Sequence, residues 1–286
     1  EGFSVERGAY GIPTAFTGTF GTDGPRIGIL GEFDALSGLN QTSGATRKES
    51  ENPGANGHGC GHNLLGVGSV AAALAVKKYI QSGFPGTVVY YGCPGEEGGS
   101  GKAFMARNGA FSNLDCALAW HPSTLNMVYQ NTSLANSQLQ YTFHGVSAHA
   151  AGSPEMGRSA LDALELMNVG INFLREHMLE KARVHYAITN TGGYSPNVVQ
   201  NLAKGIYLVR APKQGQALEL SKRVEKIAAG AATMTETTVE HRLLKSCANM
   251  ISNRVMEQVL YDSMKELGTP EYSPEEYGLA RRYADT

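Results

Sequence analysis

The chain of 286 residues is long enough for one large or two smaller domains, and a 42% hydrophobic share is ordinary for a globular protein with a sizeable core. A formal net charge of −2 and the lack of a basic run argue against binding to nucleic acid or to a membrane surface. No stretch approaches the roughly 20 consecutive apolar residues that a membrane span needs. The first residues show no signal-peptide pattern.

The four cysteines, at positions 60, 93, 116 and 247, are widely spaced and form no disulfide-framework pattern. This spacing favours a reducing, cytoplasmic setting. Three of them, Cys93, Cys116 and Cys247, lie in or beside apolar runs, which predicts thiols buried in the core.

The first part of the chain alternates strand and helix patterns. Strands are predicted at 26–33, 86–92 and 116–121, and helices at 63–82 and 101–111. This alternation indicates an α/β sheet with parallel strands. Polar and acidic clusters follow these strands, at the carboxyl edge where open α/β sheets place their sites.

The pattern changes after about residue 134. The predicted elements are a strand at 137–145, a helix at 155–181, strands at 184–193 and 204–212, a helix at 213–231 and a strand at 235–245. This order is the split βαβ, ferredoxin-like pattern. Helices predicted at 249–267 and 274–284 are assigned to the first domain. The expected domains are therefore 1–134 plus 249–286, with 135–248 as an insertion.

Four clusters of chemically capable side chains fall at the strand ends of the first domain. They are Glu32 with Asp34, Cys60 with His62, Glu96 with Glu97, and His121. Taken singly, each has a simple structural interpretation: a solvated loop start, a bend with a core thiol, a charged turn and a structural histidine before a proline. A metal site is one explanation that covers all four.

The spacing within the clusters fits that chemistry. Cys60 and His62 are two residues apart, so in extended backbone both side chains leave on one side and reach one metal. Glu96 and Glu97 point apart, so that one binds metal while the other faces the reacting water as general base. Thiolate, imidazole and carboxylate together suit Zn²⁺, and carboxylate-rich sites also accept Mn²⁺.

The inserted domain contributes three further candidates. His149 lies in a bend of small residues before a helix, where a capping or core histidine is the structural alternative. Asn197 follows in "SPNVVQ". Arg210 ends an apolar strand and is either a surface side chain whose stem packs on apolar neighbours or a bidentate anchor for a carboxylate.

Five motifs, in this order, resemble a known family: "GEFDALSGL", "GHGCGHNLLG", "GCPGEEGGSGK", "LAWHP" and "GVSAHAAGSPEMGRSALDA". The family is the metal-dependent amidohydrolase and exopeptidase group of carboxypeptidase G, aminoacylase and hippurate hydrolase. Within it, the motifs resemble the aminobenzoyl-glutamate hydrolase B-subunit branch. The resemblance implies a phosphorylase/hydrolase-like α/β catalytic domain with a mixed sheet, interrupted by a ferredoxin-like lid and dimerisation domain.

The resemblance also implies roles by position. The metal ligands, for one or two Zn²⁺ or Mn²⁺ ions, would be Cys60, His62, Glu97 and His121. Glu96 would be the general base and Asp34 would orient a ligand. From the small domain, His149 would reach into the partner subunit's site to stabilise the oxyanion, Asn197 would assist it, and Arg210 would hold the substrate carboxylate.

The chain departs from the family pattern in three places. Many relatives carry His-x-Asp where this chain has Glu32-Phe33-Asp34, and an aspartate where it has Cys60. The family's chain also continues past residue 286, and its last metal-binding histidine lies there; this sequence has no histidine after His241. We therefore expect a chain truncated at both ends.

The expected function is metal-dependent hydrolysis of an amide bond in N-acyl or aminobenzoyl amino acids or small dipeptides, by a cytoplasmic homodimer that joins through 135–248. The alternative is an inactive homologue that serves as a dimerising interaction module.

Overall fold

The structure is a computed structural model that describes residues 1–286. The chain divides into two compact units, one formed by Glu1–Val128 with Gln258–Thr286 and the other by Tyr129–Glu257. No helix has the length and apolar character needed to cross a membrane. All four cysteines are free thiols; Cys93 is buried as predicted, but Cys116 and Cys247 are only partly buried.

The first unit contains a mixed five-stranded sheet. Its strands, in the spatial order β1-β2-β4-β3-β5, are β1 (Ser4–Arg7), β2 (Phe16–Phe20), β3 (Arg26–Glu32), β4 (Thr87–Cys93) and β5 (Cys116–Leu118). β3, β4 and β5 are parallel, as the alternating pattern predicted. The antiparallel hairpin of β1 and β2 was not predicted from the pattern, and it makes the sheet mixed. The predicted α/β fold class is confirmed.

Helices cover both faces of this sheet. They include α1 (His62–Gln81), α2 (Glu96–Gly99) and α3 (Gly101–Arg107). β4 is buried along its whole length because its alternate side chains enter two cores. Val88 and Tyr90 pack with Ala73 of α1, while Val89 packs with Met105 of α3. The sheet is thereby held between the helices that carry or flank the polar clusters.

The second unit contains a four-stranded antiparallel sheet in the order β7-β8-β6-β9, with two helices on one face. Its elements are β6 (Ala135–His144), α4 (Ala160–Arg175), β7 (Arg183–Asn190), β8 (Leu202–Ala211), α5 (Gln214–Met234) and β9 (Thr238–Cys247). This connectivity and strand order are those of the ferredoxin-like pattern. The core lies between the helices and alternate residues of the strands.

The helix predicted at 155–181 is shorter in the structure. Pro154–Met156 forms a separate 3-10 turn, and α4 begins only at Ala160, where the Ser159 side chain accepts a hydrogen bond from the Asp162 N–H. Such a cap sets the start of a helix, which an apolar pattern alone does not locate. Two helices complete the chain, α6 (Arg254–Leu267) and α7 (Pro274–Ala284).

Candidate metal centre

Cys60, His62 and His121 come together beyond the carboxyl ends of the parallel strands. Cys60 Sγ lies 3.4 Å from His121 Nε2. One potential ligand atom from each of the three residues lies within 4.8 Å of the other two. His62 is the innermost of them, with 1% of its surface exposed.

The backbone between Cys60 and His62 is not extended, so the expected reason for their proximity was wrong. Gly61 adopts left-handed angles, φ 80° and ψ 18°, and His62 is the first residue of α1. A Cβ atom at Gly61 would lie 2.6 Å from Pro122 Cγ, so only glycine allows the segment that carries His121 to approach this closely. A sharp turn, not strand alternation, directs both side chains into one cluster.

Both histidines present Nε2 to the cluster. His62 Nδ1 lies 3.1 Å from the main-chain oxygen of Asp34 and 3.1 Å from Asp34 Oδ1, so Nδ1 carries the proton. His121 Nδ1 lies 2.9 Å from the carbonyl oxygen of Pro122, which places its proton on Nδ1 too. In neutral imidazoles, each Nε2 lone pair is therefore available to a metal.

Asp34 links two of the loops that carry these residues. Its Oδ2 accepts a hydrogen bond of 3.0 Å from the backbone N–H of Glu97, in the first turn of α2. Burial raises the pKa of the Asp34 carboxyl, but hydrogen bonds from the backbone N–H groups of Glu97, Glu96 and Asp34 itself, with the nearby His62, outweigh it and lower that pKa. Asp34 thus accepts from His62 and fixes the orientation of its ring; its predicted role of orienting a metal ligand stays a prediction.

A second group of potential ligands adjoins the first and shares His62. It consists of Glu32, His62 and Glu96, again with ligand atoms within 4.8 Å of one another. Glu32 Oε2 lies 3.0 Å from His62 Nε2. Glu97 contributes a carboxylate oxygen, Oε1, that is buried and has no hydrogen-bond partner. The predicted roles of Glu96 as base and Glu97 as ligand stay predictions.

The donor set of this centre fits a divalent cation. His62 Nε2, Glu32 Oε2 and Glu97 Oε1 are all buried without a hydrogen bond, a costly state unless a cation satisfies them. Burial raises the pKa of the Cys60 thiol to about 11, with further contributions from the carboxylates of Glu97, Glu96 and Glu32. The negative charge around Cys60 opposes formation of its thiolate. A bound cation would offset that charge and lower the pKa of the thiol.

His149 and Asn197 lie on neighbouring loops of the second unit. The Ala150 N–H donates to the Asn197 carbonyl oxygen at 2.9 Å, and His149 pairs with Val198 in an isolated antiparallel bridge. His149 is exposed, and its Nδ1 accepts hydrogen bonds from the backbone N–H groups of Ala151 and Gly152 at 3.2 and 3.0 Å. The ring proton is therefore on Nε2, which makes His149 a ready hydrogen-bond donor.

Arg210 lies apart from these loops within the same unit. It is near the end of β8, between Asn136 of β6 and Arg183 of β7. The loops that carry His149 and Asn197 lie at the other end of β8, where the strand starts at Leu202. The distance from Leu202 to Arg210 along the strand is about 26 Å. The small unit alone does not bring Arg210 next to His149 and Asn197.

The comparisons with known proteins place the chain in a family. The sequence profile of Peptidase family M20/M25/M40 matches residues 28–278. The chain belongs to the M20/M25/M40 family. It is 54% identical, over all of its 286 residues, to the B-subunit of p-aminobenzoyl-glutamate hydrolase of Escherichia coli (strain K12), and covers 60% of that protein. It is 33% identical over 273 residues, 91% of the chain, to Xaa-Arg dipeptidase of Mus musculus, of which it covers 58%.

A solved structure shares the fold of the chain. The crystal structure of aminobenzoyl-glutamate utilization protein from Klebsiella pneumoniae matches with a TM-score of 0.69 and 21% identity, over 96% of this chain and 68% of that one. The chain thus spans about three fifths of the length of the two curated relatives that it matches. The predicted resemblance to the amidohydrolase and exopeptidase group is confirmed.

Sequence reasoning gave no role to two residues that the structure places at the centre. Glu32 is one, and Lys102, whose ammonium group pairs with it, is the other. Glu32 and Asp34 are two residues apart at the end of β3. This spacing could have indicated that both side chains lie in the same cluster. Lys102 lies within one of the five motifs, but nothing in the pattern pairs it with a residue 70 positions before it.

Proposed function

We propose that this chain belongs to a metal-dependent hydrolase that cleaves an amide bond next to a free carboxylate. The observation that carries the proposal is the set of buried, unpaired ligand atoms around His62. Membership of a peptidase family and 54% identity to one chain of an aminobenzoyl-glutamate hydrolase support it. The alternative of an inactive interaction module is not favoured, because the ligand cluster retains its thiol, imidazole and carboxylate groups.

The residues proposed to hold one or two divalent ions, Zn²⁺ or Mn²⁺, are Cys60, His62, Glu97 and His121. When bound, such an ion supplies a Lewis acid that polarises the substrate carbonyl and lowers the pKa of water towards about 7. Asp34 keeps His62 in the tautomer that such an ion requires.

The chain's own residues would move the proton and bind the substrate. Glu96 takes a proton from the attacking water and passes it to the leaving amine. His149 donates its Nε2 proton in a hydrogen bond to the oxyanion, with Asn197 beside it. Arg210 binds the substrate carboxylate with its planar guanidinium. Since Arg210 lies apart from the His149 and Asn197 loops within one copy, one substrate would be bound by Arg210 of one copy and by His149 and Asn197 of the other. These assignments predict selectivity for acyl amino acids that keep a free carboxylate.

The proposed substrates are aminobenzoyl-glutamate and similar N-acyl amino acids, with small dipeptides as the next class. Relatives named for hydrolysis of aminobenzoyl-glutamate and of Xaa-Arg dipeptides support this range. The proposed partner is a second copy of the chain, joined through residues 135–248, which would also act as a lid. A different chain of related sequence is the other possibility, since the Escherichia coli relative is named as the B-subunit of its hydrolase. The four free thiols favour a cytoplasmic setting.

The test is a substrate panel assayed with the protein in its natural length. The panel holds aminobenzoyl-glutamate, several N-acyl amino acids, Xaa-Arg and other dipeptides, and the amide of aminobenzoyl-glutamate as a control without the free α-carboxylate. Hydrolysis of a panel member, with loss of activity on the carboxylate-blocked control, is the expected result. No hydrolysis of any member by metal-loaded protein would refute the proposed activity.

A further inference from the structure

The two carboxylate oxygens of Glu32 have different surroundings. Oε1 accepts a hydrogen bond from the ammonium group of Lys102 on α3. Oε2 lies 3.0 Å from His62 Nε2. Neither Oε2 nor Nε2 makes a hydrogen bond, and both atoms are buried. The contact between Glu32 and His62 is therefore close, but it does not have the geometry of a donor and an acceptor.

The tautomer of His62 explains why this contact needs a third partner. Two oxygens of Asp34 lie at Nδ1, so the proton is there and Nε2 carries a lone pair. That lone pair lies 3.0 Å from an oxygen of Glu32, which also carries lone pairs. In a neutral ring two such atoms repel each other unless a cation lies against both. A protonated Nε2 would instead donate to Glu32 Oε2, a hydrogen bond that this contact does not make. At 3.0 Å the two atoms are close enough for one cation to be held by both.

We propose that Glu32 is itself a ligand of the metal centre, with its Oε2 as an anionic donor beside His62 Nε2. This inference rests on the proposed metal-dependent function and adds a residue to its site. His62 is buried and unpartnered, so the site does not depend on a cluster of acidic side chains alone. Glu96, the third member of the group, lies within reach of the same ion.

Lys102 has a separate task in this arrangement. The centre gathers the carboxylates of Glu32, Glu96 and Glu97 around one buried imidazole. Lys102 offsets the charge of Glu32 through Oε1 and leaves Oε2 free for the ion. The Lys102 side chain is 30% exposed, so its stem reaches the surface. We therefore expect loss of Lys102 to leave metal binding intact, or to strengthen it by removing a positive charge.

The competing interpretation is that Glu32 and Lys102 form an ion pair with only a structural purpose. The two interpretations predict different results for two single variants. If Glu32 is a ligand, Glu32→Gln weakens metal binding and Lys102→Met does not. If the pair is structural, both variants lower thermal stability to a similar degree and leave metal affinity unchanged.

The experiment measures the affinity of the natural-length protein for Zn²⁺ and Mn²⁺ by competition with a chromophoric chelator. A second readout is the rise in unfolding temperature on addition of the same metal. Glu32→Gln is expected to weaken affinity at least tenfold, because the amide loses the charge and can donate to His62 Nε2. Glu32→Asp keeps the charge, withdraws the oxygens by one methylene and serves if the glutamine variant does not fold. Glu219→Gln, which breaks the exposed pair of Glu219 with Lys222, is the matched control.

Wild-type affinity in both Glu32 variants would overturn the inference, as would an equal loss of affinity in Glu32→Gln and Lys102→Met. Failure of the wild-type protein to bind either metal would instead overturn the proposed function. The two failures are therefore distinguishable within one experiment.

Discussion

Asp34 holds His62 through two acceptors at one ring nitrogen: the main-chain oxygen and Oδ1 of Asp34 each lie 3.1 Å from His62 Nδ1. The other carboxylate oxygen of Asp34 accepts the backbone N–H of Glu97 at 3.0 Å. One aspartate therefore fixes the ring at the start of α1 and the first turn of α2 together. Metal-binding histidines are commonly oriented in this manner.

Asp34→Asn is expected to lower metal affinity by about 10–100-fold. An asparagine side chain presents one N–H₂ group, which must face either the proton on His62 Nδ1 or the backbone N–H of Glu97. Either contact places donor against donor and disturbs a ligand. Titration with metal against a chelator measures the loss.

Asp115→Asn is the control for that experiment. Its carboxylate also accepts a backbone N–H, that of Arg26, at 2.7 Å, but at the opposite end of the parallel strands. This variant should lose stability without loss of metal affinity. Equal metal affinity in the Asp34 and Asp115 variants would contradict the account of His62.

Much of the fold could be predicted from the sequence because its elements are long and regular. The second unit follows the predicted strand and helix order, since β8 alternates buried and half-buried residues along its whole length. The hairpin of β1 and β2 was missed because every residue of β1 is exposed and carries no alternating pattern. Helix α2 is a single turn of four residues, too short for any periodic pattern.

The candidate site could be predicted in composition but not in arrangement. Cys60, His62 and His121 were named from their spacing and their position after strands, and the structure brings them together. The glycines of this segment indicated that it could turn sharply, but the pattern did not show that Gly61 packs against Pro122, which is distant in sequence. The pairing of Glu32 with Lys102 depends on the same kind of long-range contact.

Variants of the adjacent residues Glu96 and Glu97 should differ in what they lose, turnover or bound metal. Glu96→Gln is expected to abolish turnover and keep bound metal, because it removes the proposed base and leaves Cys60 and the histidines in place. Glu97→Gln is expected to lose metal first, and activity as a consequence. Metal analysis beside kcat for both variants distinguishes these outcomes, and near-full activity of the Glu96 variant would show that the base is another residue.

His149→Ala should lower kcat by about 10²–10³ and leave KM and bound metal nearly unchanged, because its Nε2–H is proposed to stabilise only the transition state. The exposed His185 of the same unit makes no side-chain hydrogen bond, so His185→Ala is the matched control. A rise in KM without a change in kcat would show that His149 binds substrate instead.

Metal affinity should rise with pH because the Cys60 thiol must lose its proton to bind the metal. Burial and neighbouring carboxylates raise the pKa of its thiol to about 11, so the thiol is protonated at neutral pH without metal. Coordination requires the thiolate, so binding releases a proton and affinity rises by about tenfold per pH unit from this residue between about pH 6 and 9. Cys60→Asp is already ionised in that range, so the slope of log affinity against pH should fall by about one. Equal slopes would exclude Cys60 as a ligand.

The most direct test of the central claim is metal content measured together with hydrolysis of aminobenzoyl-glutamate, before and after chelation. The natural-length protein should contain Zn²⁺ or Mn²⁺, lose both metal and activity on dialysis against a chelator, and regain activity when the metal is restored. Hydrolysis that persists in fully metal-free protein would contradict a metal-dependent mechanism at the cluster around His62.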